Sequence, residues 1–194
     1  RPALPLAPMT SPPARAKWPS RFRHWLTHGW RQRLLSLAVL AAALLAANAW
    51  QTRHMPTGAA PALSGTLTDG RPLTLAQWRA AHPGQAVAVH FWAEWCAICR
   101  FEQGNIARLM HDWPVLTVAT RSGDGPALAR TLSRQGLNNW PAIADENGAI
   151  ARAWGISAVP TLVVIDPQGH IRSASTGYTP TLTMRLRLWW AQHF

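Results

Sequence analysis

The last two thirds of this sequence alternate short apolar runs with longer segments whose apolar residues recur every three or four positions. The short runs are rich in β-branched residues and predict strands, while the longer segments have the periodicity of helices that cover a sheet. The predicted strands are Ala86–Trp92, Val115–Ala119, Ala142–Ala144, Thr161–Ile165 and Ile171–Ser175. The predicted helices are Leu73–Ala81, Cys96–His111, Ala127–Gln135, Gly148–Trp154 and Thr179–His193.

The order of these segments gives a β-α-β half followed by a β-β-α half, whose two strands are joined by the turn Asp166–Gly169. Strands connected through a helix run parallel, and strands connected by a short turn run antiparallel. We therefore expect an α/β fold with one mixed central sheet flanked by helices, in a domain that covers residues 62–194. The chain has 194 residues, 48% of them hydrophobic, which is enough for one such core and an appendage.

Residues 34–50 form an apolar run without charge that ends in a tryptophan. The run is slightly shorter than the roughly 20 residues that a helix needs to cross a bilayer. The basic residues ahead of it are mixed with Phe22, Trp25 and Trp30, a composition typical of the lipid headgroup layer. We therefore predict one N-terminal transmembrane helix over this run, acting as an anchor.

Two other interpretations of the apolar run remain open. Ala47-Asn48-Ala49 has the small-x-small form of a signal-peptide cleavage site, although the leader ahead of the run is longer than usual. The run could also be a buried helix of a soluble protein.

Positive charge is concentrated ahead of the apolar run. Residues 1–33 hold seven basic residues and no acid, whereas residues 51–194 hold twelve arginines against eight acids. By the positive-inside rule, the N-terminus stays in the cytoplasm and the folded domain lies in the periplasm, held by a single pass through the inner membrane. The arginines of the domain are scattered, so no nucleic-acid-binding face is expected.

Two segments are predicted to lack a packed structure. Residues 1–33 are interpreted as a disordered basic cytoplasmic tail, because residues 1–20 are rich in proline and alanine and poor in large apolar residues. Residues 51–61 are interpreted as a linker, since their proline, glycine and alanine show no periodicity.

The chain has two cysteines, Cys96 and Cys99, at the junction of a predicted strand and the following helix. A disulfide between them closes too small a ring to stabilise the fold much, which favours a redox role. At the start of a helix, unpaired N–H groups and the helix dipole lower the pKa of the Cys96 thiol and make it the nucleophile. Cys99, one turn further along, can attack a mixed disulfide on Cys96 and release the partner.

Other uses of a C-x-x-C pair fit the sequence less well. A zinc site needs four ligands, and the sequence has no second C-x-x-C and no nearby pair of histidines at the usual spacing. A c-type haem site needs a histidine directly after the second cysteine, where this chain has Arg100. An inert structural pair is disfavoured by the strand-to-helix position. No metal or cofactor is therefore expected.

The segment FWAEWCAIC, which ends at Cys99, resembles the active-site segment of thioredoxins, and Ile156–Thr161 (ISAVPT) resembles their cis-proline loop. With the N-terminal apolar run, the sequence resembles the bacterial membrane-anchored branch of the thioredoxin-like family, the TlpA-like and suppressor-of-copper-sensitivity-like proteins. The resemblance covers residues 62–194 and implies a thioredoxin-like fold.

The resemblance also implies roles for residues around the cysteines. It implies a cis bond between Val159 and Pro160, next to the cysteines, and pairing of the Val159 backbone with a bound substrate strand. Trp92 and Trp95 would form an apolar surface, with core packing as the alternative, a weaker one for Trp95. Ala97-Ile98 stands where thioredoxin has Gly-Pro, so the resemblance does not fix the reduction potential.

His90 departs from the thioredoxin pattern, in which an acid lies under the cysteine pair. Because side chains alternate along a strand, His90 should share one face with Ala88 and Trp92. Imidazole exchanges protons near neutral pH, which makes His90 a candidate proton acceptor for Cys99. The alternative is a histidine that only fills space in the core.

The residues and the resemblance predict a protein thiol–disulfide oxidoreductase that uses Cys96 and Cys99. The resemblance implies protein substrates outside the cytoplasm, a reductive direction and a transmembrane protein as electron donor. The alternatives are a dedicated reductant for cytochrome c maturation, an oxidant, and a non-catalytic redox-sensing membrane module.

Overall fold

A computed structural model describes the backbone of residues 21–53 and 58–194. One long helix, α1 (Arg21–Thr52), comes first, and an α/β domain follows it. The strands of the domain are β1 (Gly58–Ala59), β2 (Ser64–Thr66), β3 (Pro72–Thr74), β4 (Val87–Trp92), β5 (Val115–Thr120), β6 (Ala142–Asp145), β7 (Thr161–Ile165) and β8 (His170–Thr176). Its helices are α2 (Leu75–Ala80), α3 (Ala97–Met110), α4 (Gly125–Arg134), α5 (Ala149–Ala153) and α6 (Thr181–His193).

Six strands form one mixed sheet in the order β1-β8-β7-β4-β5-β6, which confirms the predicted fold class. Strands β4, β5 and β6 are parallel, because α3 and α4 return the chain between them. Strands β7 and β8 form the predicted hairpin, and β7 runs antiparallel to the central strand β4. Strands β2 and β3 form a separate two-stranded sheet.

Both faces of the central strand β4 are covered, and all six of its residues are buried. Ala88 and Trp92 pack with apolar residues of α3, α4 and α6 on one face. Val87, Val89 and Phe91 pack with residues of α2 and α5 on the opposite face. The alternation of side chains predicted for this strand is therefore confirmed.

Side chains at the helix starts explain where three helices begin. Thr74 forms a capping box with Gln77, Cys96 caps α3, and Asp124 caps α4 by accepting a hydrogen bond from the Ala127 N–H. The cap at Thr74 shows that the helix predicted to start at residue 73 begins two residues later, at Leu75. The chain is extended through Thr74, because residues 72–74 pair with β2, and only then turns into α2.

The first sheet strand and the small hairpin were missed from the sequence. Gly58 and Ala59, which the sequence analysis assigned to a linker, pair with Ile171 and His170 of β8. A strand of two residues pairs through its backbone alone and leaves no hydrophobic period to detect. Strands β2 and β3 have three residues each, which is also too few to show a periodic pattern of apolar residues.

Helix α1 includes a stretch of 21 residues, Trp30–Trp50, that is long and apolar enough to cross a membrane. Its mean hydropathy is 1.7, and none of it is buried within the described part of the protein. At 1.5 Å per residue this length is about 30 Å, close to the thickness of a bilayer core. The helix also corrects the predicted tail, because residues 21–33 are helical and contain no proline to interrupt the backbone hydrogen bonds. Residues 1–20, the rest of that predicted tail, lie outside the described residues.

Candidate active site

Cys96 and Cys99 form a disulfide at the point where the loop after β4 enters α3. Cys96 is the N-cap of α3, and its Sγ accepts a hydrogen bond from the Cys99 N–H at 3.1 Å. Cys96 is 8% exposed and Cys99 only 1%, so Cys96 is the more accessible of the two. A sulfur that accepts a backbone N–H at a helix start is placed to carry negative charge after reduction.

The loop before β7 lies directly beside the cysteines. Because β4 and β7 are antiparallel neighbours with Phe91 opposite Thr161, the end of β4 and the start of β7 meet at one edge of the sheet. The Val159–Pro160 bond is cis, as the resemblance implied. The Val159 carbonyl oxygen is 3.6 Å from the Cys96 Sγ.

His90 is enclosed on the face of β4 that packs against α3, with 1% of its surface exposed. Its Nε2 lies 3.1 Å from Oε2 of Glu102, an ion pair when the imidazole is protonated. Its Nδ1 is buried and has no hydrogen-bond partner among the described residues. The ring of His90 is therefore held in place by a buried acid.

Glu102 is a buried acid that the sequence analysis did not single out. It is 1% exposed, and its Oε1 accepts a hydrogen bond of 2.6 Å from the Thr179 N–H. Glu102 follows Cys99 by three residues on α3, so both lie on the same face of the helix. The buried positions of this helix are Cys99, Glu102, Asn105, Ile106 and Leu109. An acid within that spacing is the sequence signal that could have revealed it.

The two tryptophans near the cysteines have different environments. Trp92 is 1% exposed and belongs to the core, as the core-packing alternative predicted, and does not form part of the surface of the site. Its position on the inner face of β4 leaves it no route to solvent. Trp95 is 61% exposed, and its Nε1–H donates to the Arg121 carbonyl at 3.2 Å. Ile98 and Phe101 are also exposed, so an apolar surface surrounds the disulfide.

The charged residues next to the cysteines make surface contacts. The Arg134 guanidinium lies 3.2 Å from Glu94, and the Arg100 guanidinium donates to the Glu94 carbonyl at 3.0 Å. In the part of the chain that the structure describes, no group of three or more His, Cys, Asp or Glu side chains could hold a metal ion.

The model of the AhpC/TSA family matches residues 56–174, which is more than half of the chain and includes both cysteines and Pro160. The chain belongs to the AhpC/TSA family. Curated relatives of the chain carry names of thiol–disulfide exchange proteins.

This AhpC/TSA chain is 36% identical over 89 residues to the thiol:disulfide interchange protein DsbE homolog of Paracoccus denitrificans, covering 46% of this chain and 49% of that protein. It is 27% identical over 167 residues to the thiol-disulfide oxidoreductase ResA of Halalkalibacterium halodurans, covering 81% and 88%. For three curated relatives that match at 25–36% identity, the chain spans about half to three fifths of the relative's length.

Solved structures give the same fold for this family member. A thioredoxin-family thiol:disulfide interchange protein from Chlorobium tepidum superposes with a TM-score of 0.58 at 25% identity, covering 71% of this chain and 97% of that one. A second protein of that organism, described as a putative DsbE, superposes with a TM-score of 0.61 at 22% identity, covering 71% and 99%.

Proposed function

We propose that this chain is a protein thiol–disulfide oxidoreductase that reduces disulfides of protein substrates on the outer side of the cytoplasmic membrane. One observation carries the proposal. The Cys96 sulfur sits at a helix start, 3.6 Å from a backbone carbonyl of the cis-proline loop, while its partner sulfur is buried behind it. This arrangement separates an attacking sulfur from a resolving sulfur.

The reaction moves two electrons in two exchange steps. In the reduced protein the Cys96 thiolate attacks one sulfur of a substrate disulfide, and the other substrate sulfur leaves as a thiolate that takes up a proton. A mixed disulfide then joins Cys96 to the substrate. Cys99 loses its proton and attacks the Cys96 sulfur, which forms the Cys96–Cys99 disulfide and releases the second substrate thiol.

His90 and Glu102 are proposed to receive the Cys99 proton. Both are buried, they contact each other at 3.1 Å, and Glu102 lies one helical turn from Cys99. A buried thiol has no water to take its proton, so a nearby acid–base pair lowers the barrier to resolution. The Thr179 N–H holds Oε1 of Glu102 and leaves Oε2 for the imidazole.

Substrate capture is proposed to combine backbone pairing with apolar contact. The Val159 backbone, next to the Cys96 sulfur, is placed to pair with an extended substrate segment. Trp95, Ile98 and Phe101 supply exposed apolar area around the same point. Backbone pairing requires little of the substrate sequence, which suits a protein that acts on several partners.

Helix α1 is proposed to anchor the domain, with its N-terminal side in the cytoplasm. The charge difference across the apolar stretch supports this orientation. Repeated turnover needs a supply of electrons from outside the chain, and a membrane-bound dithiol donor at the same membrane would provide it.

The test is reduction of insulin disulfides by the full chain in detergent with dithiothreitol as the electron source. We expect the protein to accelerate precipitation of the insulin B chain and the Cys96→Ser variant to lose this effect entirely. Equal rates with and without the protein would overturn the proposal. The reduction potential of the Cys96–Cys99 couple, set against that of the compartment, would then test the reductive direction.

A further inference from the structure

A cleft of about 130 Å³ opens beside the cis-proline loop and is shared by residues of three different loops. Val159 and Trp95 line it, and the Val159 carbonyl oxygen is 3.6 Å from the Cys96 Sγ. Arg121 and Arg152 also line the cleft. A substrate segment paired with Val159 would therefore pass the mouth of a cleft that carries two positive charges.

The two guanidinium groups converge above Gly148. The point that a Cβ of Gly148 would occupy is 3.2 Å from Nε of Arg121 and 3.4 Å from a terminal nitrogen of Arg152. Glycine at this position leaves the space between the two groups open. Like charges at this range repel each other unless an anion lies between or beside them.

Neither arginine has a carboxylate partner within 4.0 Å among the described residues. Arg152 donates one hydrogen bond to the Asn147 carbonyl at 2.7 Å, and the Arg121 guanidinium makes no hydrogen bond among the described residues. The buried acid Asp145 already accepts hydrogen bonds from two backbone N–H groups and a threonine hydroxyl. The cleft therefore offers unpaired donors in the fork geometry that suits a carboxylate.

Arg121 is held in place by its backbone. Its φ is 49°, the one positive φ outside glycine in the part of the chain with a described backbone. Its N–H donates to the Asp145 carbonyl at 2.9 Å, and its carbonyl accepts from Trp95 Nε1 at 3.2 Å. Strained conformations of this kind persist where the surroundings fix them and are frequent at ligand sites.

We infer that this cleft binds a side-chain carboxylate of the substrate polypeptide, so that the protein prefers disulfides flanked by aspartate or glutamate. The inference rests on the proposed function and names its substrate class. The carboxylate would accept hydrogen bonds from Arg121 and Arg152 while the substrate backbone pairs with Val159. The two arginines are specificity residues and take no part in the exchange of sulfur bonds.

The experiment compares two disulfide-bonded peptides that differ only in glutamate or glutamine at positions next to the target cysteine. The full chain, reduced and in detergent, is assayed for kcat/KM on each peptide at low salt. We expect the glutamate peptide to be reduced about tenfold faster, an effect typical of two partly exposed ion pairs. This preference should shrink as salt is added, because the charges are screened.

Variants at the two arginines assign the preference to the cleft. In the double variant Arg121→Gln/Arg152→Gln the ratio of the two kcat/KM values should fall to about one. The single variant Arg152→Gln, at an exposed helix position, should give an intermediate ratio. Arg130→Gln removes an exposed arginine of α4 and should keep the full ratio. If the glutamine peptide is reduced but the wild-type ratio is already one, the cleft proposal is wrong. If neither peptide is reduced, the proposed function itself fails.

Discussion

Nε2 of His90 and Oε2 of Glu102 lie 3.1 Å apart inside the domain, and neither side chain is more than 2% exposed. One residue comes from the central strand and the other from the helix that carries the cysteines. Burying two ionisable groups is costly, and the contact between them offsets part of that cost. The pair is therefore a fixed acid–base unit, and its acid follows Cys99 by one helical turn on α3.

Glu102→Gln should slow release of the substrate from the mixed disulfide by about 10²-fold or more, the usual size of a general-base contribution. Glutamine retains an oxygen for the Thr179 N–H but takes up no proton. Stopped-flow exchange with a model disulfide would measure the two steps separately. Glu94→Gln makes the same change at a surface acid and should leave both steps unaltered. An unaltered resolution rate in the Glu102 variant would remove the pair from the mechanism.

His90→Leu should destabilise the domain by about 3–5 kcal/mol, because it leaves the Glu102 carboxylate buried without its partner. The double change His90→Leu/Glu102→Leu should cost less than the single change, since no buried charge is left. Urea unfolding of the wild type, the two single variants His90→Leu and Glu102→Leu, and the double variant would give the four free energies of unfolding. Additive losses would mean that the two side chains do not stabilise each other.

Cys99→Ser should accumulate mixed disulfides with protein substrates through Cys96, while Cys96→Ser should trap none. The reason is the difference in accessibility of the two sulfurs and the position of Cys96 at the helix start. Alkylation across pH should also show that the pKa of the Cys96 thiol lies below that of a free cysteine, because the helix start favours the thiolate. Equal alkylation rates for both thiols at every pH would reverse the assignment of nucleophile.

A reporter enzyme that works only outside the cytoplasm should be active when it is fused after Phe194. A reporter that works only in the cytoplasm should be inactive at the same position. The same protein should remain with the membrane after an alkaline carbonate wash, because Trp30–Trp50 is long enough to span it. Reporter activity in the cytoplasm would contradict the orientation. Release of the domain by the wash would instead indicate that the apolar segment is removed as a signal.

Asp145→Ala should lower the free energy of unfolding by about 2–3 kcal/mol, because it leaves buried donors without an acceptor. The carboxylate accepts from the N–H groups of Ile150 and Ala151 and from the Thr120 hydroxyl. Asp124→Ala removes an exposed helix cap and should cost only about 1 kcal/mol. A denaturation midpoint that falls further for Asp124→Ala than for Asp145→Ala would contradict this ranking.

The main strands and helices could be predicted because their signals are local. The apolar runs of β4, β5 and β7 are continuous, and α3 begins directly after Cys96, so each element is defined by its own residues. The relation of the cysteine pair to Pro160 needed a family resemblance, since the two segments are about 60 residues apart in sequence.

The contact of His90 with Glu102 could not be derived from either segment alone. An acid on a helix is usually solvated, and only the packing of α3 on β4 decides that this one is buried. The convergence of Arg121 and Arg152 has the same origin, because it depends on a backbone turn after β5 and on the placement of the short α5. Contacts between elements that are distant in the sequence leave no periodic pattern of residues from which they could be predicted.

The surfaces that would meet a partner lie beyond the last paired residues of β4 and β5 and before the first paired residue of β7. The acid–base pair lies between β4 and α3, away from those loops. Loops on a rigid sheet accept substitutions that the interior does not. After gene duplication, a few substitutions in these loops are therefore enough to change which substrates the domain binds. The acid–base pair and the exchange of sulfur bonds are then inherited unchanged.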